Sequence, residues 1–101
     1  MKTAKSINGI TIRLSDERWI HITEEHAEMA GYLFDVLETI QEPSAVFEGN
    51  AGEFLAAREI ETGKYIIVTY RELTQEDGFI ITAFLTKRWK QMERSKKIWQ
   101  R

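Results

Sequence analysis

The chain predicts an α+β fold: N-terminal helices, then a four-stranded antiparallel sheet, then a basic C-terminal helix. Three observations carry that expectation. Met29, Ala30, Leu33, Val36, Leu37 and Ile40 recur with helical spacing in the first half. The second half holds β-branched and aromatic runs, Tyr65-Ile66-Ile67-Val68-Thr69-Tyr70 and Phe79-Ile80-Ile81-Thr82-Ala83-Phe84-Leu85. The two patterns are segregated along the chain, which argues against an alternating, parallel-sheet fold.

Residues 10–14, Ile-Thr-Ile-Arg-Leu, alternate apolar and polar, so a short strand is expected there. Ser15 can cap a helix, and Asp16 and Glu17 suit the positive end of its dipole. A brief helix over 18–22 follows, and Thr23 is the next expected cap. From there an amphipathic helix of about 18 residues buries one stripe. Gly31 within it costs about 1 kcal/mol against alanine and suggests close approach of another element. Glu42-Pro43 ends the helix, because proline cannot continue the ladder and its predecessor avoids helical angles. Ala45-Val46-Phe47, Phe54 to Ile60, and the two β-branched runs then read as strands. Gly49-Asn50-Ala51-Gly52 and Glu61-Thr62-Gly63-Lys64 are the turns between them.

With 101 residues and no linker or repeat, the chain is expected to form a single domain, 1–101. The absence of cysteine excludes disulfide frameworks, thiolate metal sites and cysteine nucleophiles. No apolar run approaches the roughly 18 residues of a membrane span, and the N-terminus has no apolar signal core. A cytoplasmic address fits these features.

The net charge of −2 hides an asymmetry. Residues 86–101 hold seven basic side chains and one acid, a balance of +6, while the other 85 residues hold seven basic and fifteen acidic ones, a balance of −8. A basic segment with two tryptophans can neutralise phosphates and stack on bases. The plainer alternative is a solvated helix whose tryptophans pack into the core.

His21 and His26 are the first candidates for chemistry. They lie five apart, not at the i, i+4 spacing of a zinc helix, and no metal site is expected. Near a helix start, the dipole would help keep His26 neutral as a base. Arg58 in a strand can bind a phosphate or pair with a carboxylate. Tyr65, Tyr70 and Thr82 offer hydroxyls near the sheet. Metal-free RNA cleavage needs a base for the 2′-OH, an acid for the leaving 5′-oxygen, and cations for the phosphorane. These residue types can supply all three.

The stretch Asp16-Glu17-Arg18-Trp19-Ile20-His21-Ile22-x-x-x-His26 leads on to Glu42-Pro43, Leu55-Ala56-Ala57-Arg58, and Gly78-Phe79-Ile80-Ile81-Thr82-Ala83-Phe84. With the basic, tryptophan-bearing end, it resembles the barnase–EndoU–colicin–RelE-like nuclease superfamily, in its phage- and toxin–antitoxin-associated branch. The resemblance spans residues 12–101. It implies a RelE/barnase-like fold and a metal-independent endoribonuclease, the toxin of a toxin–antitoxin pair. The positions that match it are Arg18, His21, His26, Arg58 and Thr82; the expected catalytic set is His21, His26, Arg58 and Thr82, with Arg18, Tyr70 and, from the basic segment, Lys87, Arg88 and Lys90 binding substrate. The family often has proline after the second histidine, where this chain has Ala27. RNA and a cognate antitoxin are the expected partners, with no cofactor and no membrane. Exposed strand edges leave room for a homodimer. The alternative is a non-catalytic module binding RNA or a protein through the basic C-terminal segment.

Overall fold

The apolar runs assemble into one seven-stranded mixed sheet with three short helices, which corrects the predicted fold. The computed structural model describes residues 1–101. In chain order the elements are β1 (Lys2–Lys5), β2 (Thr11–Leu14), α1 (Asp16–Glu25), a 3-10 turn (Ala27–Gly31) and α2 (Leu33–Gln41). β3 (Ala45–Glu48), β4 (Phe54–Glu61), β5 (Lys64–Glu72), β6 (Gly78–Thr86), α3 (Trp89–Met92) and β7 (Lys96–Gln100) follow. The strand order is β1-β2-β6-β5-β4-β3-β7, and only β2 and β6 run parallel. Neither the N-terminal helices, nor the four-stranded antiparallel sheet, nor the basic C-terminal helix of a RelE/barnase-like plan describes this architecture.

Each departure has a local cause. β1 has only Ala4 buried, so it shows no apolar alternation. Its signal is Asn8-Gly9, a hairpin dipeptide, with Gly9 at φ 76° and its amide donating to the Ser6 carbonyl at 2.9 Å. The predicted long helix breaks in two. Thr23 does not cap; its hydroxyl donates to the Ile20 carbonyl at 3.0 Å, so α1 continues to Glu25. The 3-10 turn then buries Met29 completely before α2 begins. Gly31 ends that turn with open space beside it, not a close approach. At the other end, Trp89 and Met92 set up one helical turn, but nothing apolar follows at 93 or 96. The chain turns at Ser95, and Ile98-Trp99 joins β7, where Trp99 packs on the main core. Ser15 behaves as expected, accepting from the Arg18 amide at 3.0 Å.

α1 and α2 cover one side of the sheet. Ile22, Met29, Val36 and Ile40 meet Ile12, Leu14, Val46, Ala56, Ile66, Val68, Tyr70, Ile80 and Ala83. The opposite side has a smaller cluster of Ala45, Phe47, Ala57, Ile67 and Met92, covered by α3. Both edge strands, β1 and β7, carry two lysines, and β7 bulges at Ile98. These features oppose edge-to-edge pairing of two copies.

β6 is wedged between β2 and β5, and Gly78 sits at the tightest point. It pairs with both Ile12 and Glu72. A Cβ there would overlap the Arg71 carbonyl and come within 2.7 Å of the Ile12 side chain. Gly78→Ala is expected to destabilise the protein by about 1–3 kcal/mol, read as a lower midpoint in urea.

The β5–β6 turn is held to β2 by a forked pair, Arg13 Nε to Asp77 at 2.6 Å and Nη2 to Asp77 at 3.0 Å. The hydrogen bond from Arg13 lowers the Asp77 pKa below its usual 3.8, with the Arg13 charge adding to it. A depressed carboxyl contributes stability that is complete above its unfolded pKa. That contribution is lost as pH falls through the folded value. Asp77→Asn should therefore flatten the acid limb of a stability-against-pH curve below about pH 4 and leave its shape at neutral pH unchanged.

Candidate nucleic-acid interface

Strand register decides which side each residue serves. Thr82 pairs with Thr69, Phe84 with Ile67, and Arg58 with Ile66. Successive side chains alternate, so Thr82, Phe84, Ile67 and Thr69 share the side bearing α3, and Arg58 lies on the side of α1 and α2. There Arg58 is already engaged. It meets the Glu38 carboxylate at 3.0 Å and donates to the Glu42 carbonyl at 3.1 Å, pinning the end of α2 to β4. Arg58 and Thr82 do not converge.

The α3 side is built from aromatics and cations. Trp89 stacks on Tyr65 with ring centres 4.4 Å apart, and meets Phe47 edge to face at 5.6 Å. Burial raises the Tyr65 pKa, with a hydrogen bond and charge from Glu59 adding to it, so its phenol stays protonated. Lys97 sits 5.9 Å over the Phe47 ring. Lys87, Arg88 and Lys90 line a depression with Trp89, Gln91 and Glu93. At the far edge of the sheet Arg94 and Lys96 line a separate, polar one with Glu48, Gly49, Asn50 and Ser95; Lys96 is in register with Glu48, and both alternate with Lys97 and Phe47, so Lys96 faces the opposite side. None of Lys87, Arg88, Lys90, Arg94 or Lys96 forms an ion pair, whereas Arg101 pairs with Glu42. Of these, Lys87, Arg88 and Lys90 stand together at the α3 depression, exposed and free to meet phosphate.

His26 lies at the margin of this side. As the residue ending α1, it tilts its ring against Phe84, 6.0 Å between centres. Its Nδ1 is 4.0 Å from a Glu28 carboxylate oxygen. Its side chain stays about one-third exposed, so a ligand can reach it. His21 is exposed on α1 without a hydrogen bond or ion pair, five residues from His26.

The remaining expected residues scatter. Tyr70 is 1% exposed in the main core against Phe54, and burial, with the Glu72 charge, drives its phenol well above the usual range. No substrate on the surface reaches it. Arg18 is exposed in a groove with Arg13, Ser15, Leu73 and Phe79. That groove lies at the start of β6, roughly 25 Å of strand from Lys87. Thr82 is beside the bulge at Ile81, and its buried hydroxyl has no hydrogen-bond partner. On the α3 side, His26 thus meets Phe84, Thr82 lies two residues before Phe84 on β6, and Lys87, Arg88 and Lys90 follow the end of that strand. Phe47, Glu28 and Trp89 were not among the expected site residues, and Tyr65 was expected to offer a hydroxyl rather than a ring. Of the three missed, only Trp89 had a legible signal, as a tryptophan inside the basic run.

No family model matches the chain, and comparison with curated proteins and with solved structures finds no match.

Proposed function

We propose that this protein is a metal-independent endoribonuclease that holds RNA against the α3 side of its sheet and uses His26 for proton transfer. The observation that carries the reading is the trio of unpaired cations Lys87, Arg88 and Lys90 at the depression beside Trp89, itself packed on Tyr65 and Phe47, with the His26 imidazole against Phe84 on the same side. The reading keeps the nuclease chemistry that the Arg18–His26 and Thr82–Phe84 resemblance implies, without that superfamily's fold. In this mechanism His26 takes the 2′-OH proton, the 2′-oxygen attacks phosphorus to form the cyclic phosphate, and the P–O5′ bond breaks with the 5′-oxygen taking a proton from water, after which His26 returns its proton to solvent. Lys87, Arg88 and Lys90 hold the phosphates and offset charge on the phosphorane. The same basic strip is the surface an acidic antitoxin would cover.

A second reading, RNA binding without cleavage, is favoured by one observation. Arg58 is committed to α2, and His21 does not share the strip, so His26 has no second titratable partner beyond Glu28. Incubation of the protein with RNA in excess chelator separates the two. Products ending in 2′,3′-cyclic phosphate are expected. Retention of intact RNA alone would favour the binding module, and neither cleavage nor retention would sink both.

A further inference from the structure

We infer that this protein associates head-to-tail with itself, the outward face of α1 in one copy docking on Trp89 and its cations in the next. The docking stands on surface chemistry alone; its consequence, that a docked copy closes the strip assigned to RNA, rests on the RNA-binding reading above. Residues 16–42 hold eight acidic side chains and one basic one, a balance of −7, while residues 86–101 balance at +6. The helices of the acidic segment cover one side of the sheet and α3 the other. Within the molecule only the Arg101–Glu42 ion pair joins the two segments. Two strong, opposite charges thus face apart on one molecule, an arrangement that draws a second copy on.

On α1 the pattern is local. Ile20 is 55% exposed, and Asp16, Glu17 and Glu24 lie four before, three before and four after it, so they ring it on the outward face of the helix. All three acids are exposed and none forms an ion pair. Arg18, two residues from Ile20, leaves the helix on the far side. Three free carboxylates repel a polyanion such as RNA, so the occupant of this face is cationic, with an apolar surface for Ile20. The chain carries that surface itself. Trp89 is half-buried in its depression, with the unpaired Lys87, Arg88 and Lys90 around it. Glu93 lines it too, so three cations and one acid face the three acids of α1 and attraction prevails. Ile20 on the indole is the anchor, and the charges form its rim. Because the two surfaces lie on opposite sides of the sheet, a copy that gives α1 to one neighbour offers its own depression to another.

Sedimentation velocity of the full-length protein at high micromolar concentration reads the assembly, since a one-helix contact is small and weak. The average mass is expected to reach about twice that of one chain at about 10 mM salt and to fall back to one chain at about 1 M. Glu17→Lys/Glu24→Lys and Ile20→Gln should each stay monomeric at low salt. Lys87→Glu/Lys90→Glu should too, and mixing it with Glu17→Lys/Glu24→Lys should restore association, because each then meets a complementary surface. Glu61→Lys/Glu76→Lys changes the net charge equally at exposed, unpaired sites away from α1 and should associate as the parent does. A parent that stays monomeric at low salt would overturn the docking, and so would equal loss in the Glu61→Lys/Glu76→Lys control. Substitutions at these exposed positions are expected to leave the fold intact, which thermal melting checks. A 2′-O-methyl uridine heptamer, which resists cleavage, should return the parent to monomer. Assembly that persists with the heptamer bound would overturn the docking site. A heptamer that does not bind, with the mixed variants still associating, would overturn the RNA reading and leave the docking standing.

Discussion

His26→Ala is expected to lower RNA cleavage by about 100- to 10,000-fold, the usual contribution of a positioned acid–base group. The measurement is the initial rate of product formation in chelator, with folding checked by thermal melting. The backbone amide of His26 closes α1 on the Ile22 carbonyl at 2.8 Å, and that bond survives the substitution. The loss is therefore chemical rather than structural. His21→Ala is the internal control. Its side chain is exposed and unpartnered, away from the cations, so cleavage should stay near that of the parent. If His21→Ala were the damaging change and His26→Ala the silent one, the proposed proton-transfer group would be wrong. RNA affinity should be little altered by either, because neither side chain belongs to the cationic strip.

Replacing Lys87, Arg88 and Lys90 together with alanine is expected to flatten the salt dependence of RNA binding. Each phosphate contact releases about 0.7 of a counterion from single-stranded RNA, so losing three should reduce the slope of log affinity against log salt by about 2. The effect should be uniform across sequences, since phosphate contacts carry no base information. All three side chains are exposed and unpaired, so stability should hold. An unchanged slope would mean that RNA does not follow this strip. Cleavage should fall with binding at low RNA concentration and recover partly at saturation, which separates this variant from His26→Ala.

Strands β4, β5 and β6 were legible in the chain because β-branched and aromatic runs bounded by Gly63 and the 72–78 link admit few other readings. The Ser15 cap was legible for the same kind of reason: its hydroxyl acts on an amide three residues away. The break after α1 was not. It depends on where Met29 finds a buried place, and that place is made by strands far along the chain. β1 and β7 were also illegible as strands. Each gains its hydrogen bonds from a partner already in the sheet, and lysine-rich edge strands lack the apolar alternation that marks central ones.

Composition alone determined that this chain has no cysteine chemistry, and segment charge alone placed +6 in its last sixteen residues. The tertiary structure decided what those charges face. A one-turn helix lays Trp89 on Tyr65 and leaves Lys87, Arg88 and Lys90 unpaired beside it. Arg58 is given to α2 and Tyr70 to the core. The physical reason is the strand period. A residue's side of the sheet follows from its parity and from bulges, and which side the helices cover follows from packing between segments distant in sequence.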